Sequence, residues 1–337
     1  MFRVADWIAD AIYSSGVTCV HGLMGGGAAV LNDGFIKHEK LQYICYHHEQ
    51  AAGHAAIGES KYSGKISFVN PTTGCGGTNC ITSVLNAWQD SVPVFFLSGT
   101  VNLETCSTFI NQTSGLNLRT YGTQEHNITE TVKSITKFSK FVDNPDELPS
   151  IFYEAVDLSQ KGRPGPVWVD IPSDIQAYPA PRSKFEYSSD NRESENLDFA
   201  PACELLNSAE RPIVLAGGGI RQSGCINEFI NFIESQNIPI VTTYAARDYL
   251  PYDHRLNIGA VGIKGSRAGN FALQNADLLL ILGCRLASSV IGYDPALFSP
   301  TSKKIMIDCD GNELRKNIIN LDQKYEADLK KFFEAIK

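Results

Sequence analysis

Leu41-Gln42-Tyr43-Ile44-Cys45-Tyr46-His47-His48-Glu49-Gln50-Ala51-Ala52-Gly53-His54-Ala55-Ala56 reads as a strand feeding a helix. Leu41 to Tyr46 is a short apolar and aromatic run with strand preference, and from about Gln50 to Tyr62 alanine and other helix formers take over. Glu49 stands at the junction, and strand ends that feed helix starts are where open α/β sheets place their ligands. A carboxylate there also suits a helix N-terminus through the macrodipole, so position alone leaves a structural and a functional role open. The small residues after Glu49 let the helix approach its sheet closely, which puts the carboxylate in a poorly hydrated niche. A buried acid of that kind has a partner or a function.

The same alternation extends outward in both directions. Upstream, Val4, Trp7, Ile8, Ala11 and Ile12 recur at helical spacing, Ser14-Ser15-Gly16 stops the helix, and the apolar run Val17 to Val20 follows. Downstream come a strand at Ile66 to Val69, a helix from about Asn79 to Trp88, a strand at Val94 to Leu97 and another at Val167 to Pro172. Helices alternating with short apolar strands predict parallel pairing with both sheet faces covered. Residues 177–199 shift to proline, serine and charge and read as a linker. The alternation then resumes with strands at Ile213 to Ala216, Ile240 to Thr243, Leu278 to Leu282 and Ile305 to Asp308. The expected fold class is α/β, with two doubly wound, mainly parallel domains at 1–176 and 200–337. A length of 337 residues agrees with two domains at roughly 150 residues each.

Composition excludes several function classes. Lysine and arginine number 29 against 37 aspartates and glutamates, a net charge of −8 without a basic run, and nucleic-acid binding needs a clustered cationic face. No apolar stretch approaches the ~20 residues that cross a bilayer, and the N-terminus carries Asp6 and Asp10 where an export signal needs an unbroken apolar stretch. The nine cysteines are odd in number and form no C-x-x-C pair, so neither a disulfide framework nor a zinc knuckle is signalled and a reducing cytoplasm is expected.

Two glycine-rich turns accompany Glu49: Gly25-Gly26-Gly27, and Thr72-Thr73-Gly74-Cys75-Gly76-Gly77-Thr78-Asn79. Missing β-carbons admit a flat ligand or another backbone, and exposed amides at a helix start favour anions. Neither turn has the lysine of G-x-x-x-x-G-K-[ST], and Gly217-Gly218-Gly219 only partly resembles G-x-G-x-x-G. His47, His48 and His54 do not form a metal set, so no metal ligand is assigned. No G-x-S-x-G elbow signals a serine hydrolase. Cys75 reads as a small apolar filler, and Asp308-Cys309-Asp310-Gly311-Asn312 as a structural loop rather than a cation site.

Taken together, the glycine turn, His48-Glu49-Gln50-Ala51-Ala52, Thr73-Gly74-Cys75-Gly76-Gly77-Thr78-Asn79, Asp90-Ser91-Val92-Pro93, Thr123-Gln124-Glu125 and Gly162-Arg163-Pro164-Gly165-Pro166-Val167 resemble, in this order, the thiamine-diphosphate-dependent enzymes of the acetolactate synthase type. The likeness runs almost end to end. Gly115-Leu116-Asn117-Leu118-Arg119 and Gly25-Gly26-Gly27-Ala28 with Leu31-Asn32-Asp33 look most like the members associated with surface-polysaccharide and unusual-sugar biosynthesis. The resemblance implies a pyrimidine-binding domain followed by a Rossmann-like central domain. It implies that Glu49 hydrogen-bonds the aminopyrimidine ring and promotes the imino tautomer that deprotonates the thiazolium carbon. The activated cofactor then attacks a 2-keto acid in a decarboxylase or carboligase reaction. By position, Leu23, Met24, Gly25 and Gly26 match the loop beside the pyrimidine, Thr72, Gly74, Cys75 and Asn79 match the second turn, and Gln124 matches a residue facing substrate.

The departures matter as well. Cys75 stands where proline is usual, Met24 replaces another proline, and Thr123 replaces a phenylalanine. Gly283-Cys284-Arg285 resembles the start of a flavin-contacting loop, but Leu286-Ala287-Ser288-Ser289 does not continue its acidic pattern, which leaves FAD open. The family's Gly-Asp-Gly motif, which holds magnesium and the diphosphate, does not occur in these residues. The expectation is therefore a chain inactive alone, completed by a third domain in a longer native chain or a separate polypeptide, and a homodimer when complete. The alternative is a non-catalytic binding or scaffold protein, holding a nucleotide through Gly217 to Gly219.

Overall fold

The computed structural model describes residues 1–180 and 197–336, and the chain divides into two compact units, Met1–Asn191 and Arg192–Lys337. Most of the expected linker, 181–196, lies outside the described residues. Its two shoulders belong to folded structure: Pro179 bridges Arg3, and Phe199 is buried in the second core.

The first unit is a six-stranded sheet of β1 (Cys19–Gly22), β2 (Gln42–Cys45), β3 (Ser67–Asn70), β4 (Val94–Thr100), β5 (Phe138–Phe141) and β6 (Val167–Pro172). Its order is β2-β1-β3-β4-β6-β5, with parallel pairing throughout. Helices α1 (Val4–Ser14), α2 (Ala29–Lys37), α3 (Glu49–Ser63), α4 (Cys75–Asn79), α5 (Ile81–Asp90) and α6 (Ser107–Ser114) are among those that connect the strands. Local chemistry sets their limits. Asp6 Oδ2 accepts the backbone N–H of Arg3 at 2.9 Å at the start of α1, and Gly16 at φ +81° follows its end. His48 Nδ1 accepts the Gln50 N–H at 3.1 Å at the start of α3, which stops at Gly64 in the left-handed region. A β-carbon on Gly53 would lie 2.0 Å from Ser83 Oγ, so α3 and α5 meet almost backbone to backbone. The small residue Gly53 thus serves a helix-to-helix contact, whereas the sequence leads one to expect a close approach of α3 to the sheet.

The central strand β4 is buried along its whole length. Phe95 packs on Phe68 and on Phe152 of the helix Leu148–Gln160 on one face, and Phe96 stacks on Trp168 on the other with centroids 5.2 Å apart. Beneath that stack, Trp168 Nε1 donates to Ser98 Oγ at 2.8 Å and Ser98 Oγ donates to Asp170 Oδ1 at 2.6 Å. Burial pushes the Asp170 carboxyl up to about 6 from 3.8, against the opposing effect of the Ser98 bond. The folded state thus holds this proton more tightly than the unfolded chain. Its contribution to stability is complete below about pH 4 and is lost as pH rises through 6, by roughly 3 kcal/mol. In urea unfolding at pH 4 and pH 7, Asp170→Asn is expected to gain on the parent by about that amount at the higher pH.

The second unit holds β7 (Pro212–Ala216), β8 (Ile240–Thr242), β9 (Asn257–Ala260), β10 (Leu278–Leu282), β11 (Lys303–Asp308) and β12 (Gln323–Glu326). The order β12-β11-β10-β7-β8-β9, again all parallel, reverses at the β10/β7 pair as in a dinucleotide-type sheet. β-carbons on Gly217 and Gly219 would lie 2.1 and 2.7 Å from backbone atoms of Gly283. These glycines let the turns after β7 and β10 pack directly together. The Asp310 N–H donates to Asp308 Oδ1 at 2.9 Å, and Asp310 Oδ1 caps the helix Gly311–Arg315 by accepting the Asn312 N–H at 3.0 Å, which gives both carboxylates a part in shaping this loop. Among the described residues, no helix is long and apolar enough to cross a membrane.

Candidate functional site

In the first sheet the chain winds outward from β1 to β2 and then returns to place β3 on β1's other side. Strand order reverses there, and the carboxyl ends of such strands frame a ligand crevice. The two glycine turns follow those two strands. They interlock because they lack side chains: a β-carbon on Gly25 would lie 2.5 Å from the Thr72 side chain, and one on Gly27 would lie 2.9 Å from Thr73 and from Gly99 O. Thr73 and Thr100 hydroxyls meet at 3.1 Å. Gln176, fully buried, donates to Gly27 O and Ile171 O, both at 2.7 Å. Behind the first turn, Asn32 Nδ2 donates to Asn70 Oδ1 at 2.5 Å and to Tyr43 OH at 3.1 Å, and Asn70 Nδ2 donates to Leu97 O at 2.7 Å. Sequence reasoning did not find these supporting residues. Their only signal is a polar residue in or near an apolar element, which does not say what it bonds.

Glu49 opens α3 and is 6% exposed. Its Oε2 accepts from Asn79 Nδ2 at 2.9 Å. The other oxygen, Oε1, lies 3.1 Å from where a Gly76 β-carbon would be, and that same position is 2.6 Å from the Thr72 methyl. A side chain at 76 would fill the space in front of the carboxylate, and glycine leaves it open. Thr72 Oγ1 is buried and has no hydrogen-bond partner. An orphaned hydroxyl of this kind is costly unless a ligand satisfies it. Gly25, Thr72, Gly76 and Glu49 therefore form a narrow cradle with one unsatisfied hydroxyl and one acid, which suits a flat, nitrogen-bearing ring.

Gln124 reaches the second turn by its backbone. Gly74 adopts φ +57°, ψ −114°, and a β-carbon there would lie 1.7 Å from Gln124 O. Gln124 itself has φ +58° and an exposed side chain. Glu125 fixes this loop by accepting the Ser107 N–H at 2.7 Å, the Gly122 N–H at 2.9 Å and the Tyr121 N–H. Burial disfavours its charge, but the backbone bonds from Tyr121 and Ser107 prevail and hold its carboxyl below the usual value.

Of the remaining expected residues, half-buried Leu23 and 56% exposed Met24 lead from β1 into Gly25, and Gly26 is exposed with open space around it. Cys75 corrects the sequence reading. It is exposed at the first residue of α4, and the neighbouring Cys80 is the thiol that fills the core, with burial pushing its ionisation up.

Residues 2–130 match the thiamine pyrophosphate enzyme N-terminal TPP binding domain, and residues 199–336 match the thiamine pyrophosphate enzyme central domain. The chain belongs to the thiamine pyrophosphate enzymes. Its relatives within them include the probable acetolactate synthase large subunit of Methanocaldococcus jannaschii, 33% identical over 323 residues, covering 93% of this chain and 52% of the relative. The acetolactate synthase large subunit of Lactococcus lactis is 32% identical over 328 residues, covering 96% and 55%. The acetolactate synthase isozyme 1 large subunit of Escherichia coli is 32% identical over 322 residues, covering 94% and 54%. This thiamine pyrophosphate enzyme chain thus spans about half the length of the curated relatives it matches.

Proposed function

We propose that this chain supplies the cofactor-activating part of a thiamine-diphosphate-dependent decarboxylase or carboligase that acts on a 2-keto acid. One observation carries the reading: Glu49 is buried, anchored through Oε2 by Asn79, and turns Oε1 toward the cradle of Gly76, Thr72 and Gly25. When bound, thiamine diphosphate supplies the carbon nucleophile and electron sink that the chemistry requires. Glu49 would hold or accept a proton at Oε1, the oxygen that faces the cradle. Asn79 fixes the carboxylate's rotation. The unsatisfied Thr72 Oγ1 would offer a bound ring a second polar contact. Gln124, whose backbone abuts Gly74 and whose side chain is exposed, is the residue this reading assigns to substrate contact.

The reading assigns the diphosphate and its magnesium ion to a domain other than these two, in the same native chain or a separate one, and expects a cytoplasmic homodimer when complete. A role in sugar or surface-polysaccharide biosynthesis rests on the likeness at Gly115 to Arg119 and at Gly25 to Ala28 with Leu31 to Asp33. The sides of Gly217 and Gly219 that would carry a β-carbon pack on the Gly283 backbone, which lends the nucleotide alternative no support there, and the flavin reading concerns Gly283 to Arg285 alone. Calorimetry with thiamine diphosphate and magnesium is the test. Negligible affinity for the chain alone, with binding and 2-keto acid decarboxylation once a diphosphate-binding domain is joined to it, is expected. Continued failure to bind in the joined protein would favour a non-catalytic scaffold.

A further inference from the structure

Cys19 and His21 alternate along β1 and so project to the same face of the sheet. The helix α3 lies over that face and brings Glu59 to them. His21 Nε2 is 2.7 Å from Glu59 Oε2 and 3.8 Å from Cys19 Sγ, and His21 Nδ1 is 2.8 Å from Tyr46 OH. The sulfur, nitrogen and carboxylate atoms all lie within 4.8 Å of one another. Cys19 and His21 are buried, and the Glu59 side chain is 34% exposed.

We propose that Cys19, His21 and Glu59 bind one zinc-like divalent transition-metal ion, with water as the fourth ligand on the exposed side. The pattern of contacts distinguishes this from a thiol–imidazole dyad. In a dyad the orienting group sits on the nitrogen remote from the thiol, whereas here thiol and carboxylate converge on the same nitrogen. Ligands converge on a shared centre in this way, and the second nitrogen meets a hydroxyl as the outer shell of a metal-bound histidine does. Bond lengths near 2.3 Å to sulfur and ~2.0–2.2 Å to nitrogen and oxygen in a tetrahedral site put sulfur and nitrogen roughly 3.6 Å apart, and nitrogen and oxygen roughly 3.4 Å apart. The sulfur–nitrogen pair is already within a few tenths of an ångström of that. The nitrogen–oxygen pair has to open by about 0.7 Å, and Glu59 can do so by turning toward solvent.

On binding, the Cys19 thiol loses its proton to water as the metal–sulfur bond forms. The ring proton of His21 shifts through water from Nε2, where it bonds Glu59, to Nδ1, where the N–H donates to Tyr46 OH, and the freed Nε2 lone pair and Glu59 oxygen each bind the metal. The site lies against β1 and α3, the elements that lead to Leu23 and begin with Glu49, but it shares no residue with the cradle and does not depend on the function proposed above.

The test titrates cobalt(II) into the metal-stripped full chain in which the exposed Cys45, Cys75 and Cys309 are serine. Saturation at one cobalt per chain, with a thiolate-to-cobalt charge-transfer band and displacement by zinc, is expected. Cys19→Ser should abolish the band. Tyr46→Phe, which keeps all three ligands, should weaken binding by about 10-fold or more. Absence of stoichiometric binding in the parent, or a band that survives Cys19→Ser, overturns the site. If Cys19→Ser fails to fold by circular dichroism, Glu59→Gln replaces it, and an unchanged cobalt affinity there overturns the site equally.

Discussion

Glu49→Gln is expected to lower the turnover of the completed holoenzyme by roughly 10²- to 10⁴-fold, the range for losing a positioned proton-transfer group. The substitution is nearly isosteric. The glutamine carbonyl can still accept from Asn79 Nδ2, which now anchors Oε2 at 2.9 Å, and the amide still fits against Gly76. The structural cost is small, since the side-chain shape and the Asn79 bond are both kept. Thermal melts close to the parent, cofactor binding within about an order of magnitude and a collapsed kcat for 2-keto acid decarboxylation together assign Glu49 to chemistry. Unchanged turnover removes it from that role.

Gly74→Ala should be the most damaging single methyl in the first unit. At φ +57°, ψ −114° the backbone is in a region that side-chain-bearing residues avoid, which costs ~1–3 kcal/mol by itself. The new carbon would also stand 1.7 Å from the carbonyl oxygen of Gln124, a backbone atom that Glu125 holds in place through Ser107, Tyr121 and Gly122. The two effects together come to about 4 kcal/mol or more, at the exceptional end for one substitution. For a unit of this size that lowers the melting temperature by roughly 8–16 °C. Gly26→Ala is the control, because no atom lies within 4 Å of its added carbon, and it should melt with the parent.

The sequence made the architecture readable wherever strands are buried on both sides. The runs at Val94, Val167, Leu278 and Ile305 are continuous apolar stretches, and all four fall on interior strands. The three strands it did not reveal, β5, β9 and β12, are all at sheet edges. An edge strand has one neighbour and is partly wet. Ser139 and Lys140, Asn257 and Gly259, and Gln323, Lys324 and Glu326 break any apolar run there, so no period marks them. The burial of Glu49 was legible from its place at a strand-to-helix junction before small residues, while its assigned role came from family likeness. Its anchor Asn79 and the orphaned Thr72 hydroxyl were placed only by family likeness, since the contact between residues 30 positions apart is set by how two turns interlock. Cys19, His21 and Glu59 gave no linear signal at all. Their meeting depends on α3 lying across β1.

The contact between Gly53 and Ser83 restricts how this crevice can be altered. With the serine oxygen already where a side chain at 53 would go, α3 cannot be re-aimed by enlarging its inner face, and the acid at its tip is locked to the geometry of two helices at once. Gly26 is free of that restriction. Under the proposed function, variation that tunes ligand choice can accumulate along the outer lip of the crevice, while the Glu49 end, packed between two helices, tolerates almost none. A library for redesign would therefore diversify the segment from Met24 to Gly26 and hold residues 49–56 fixed.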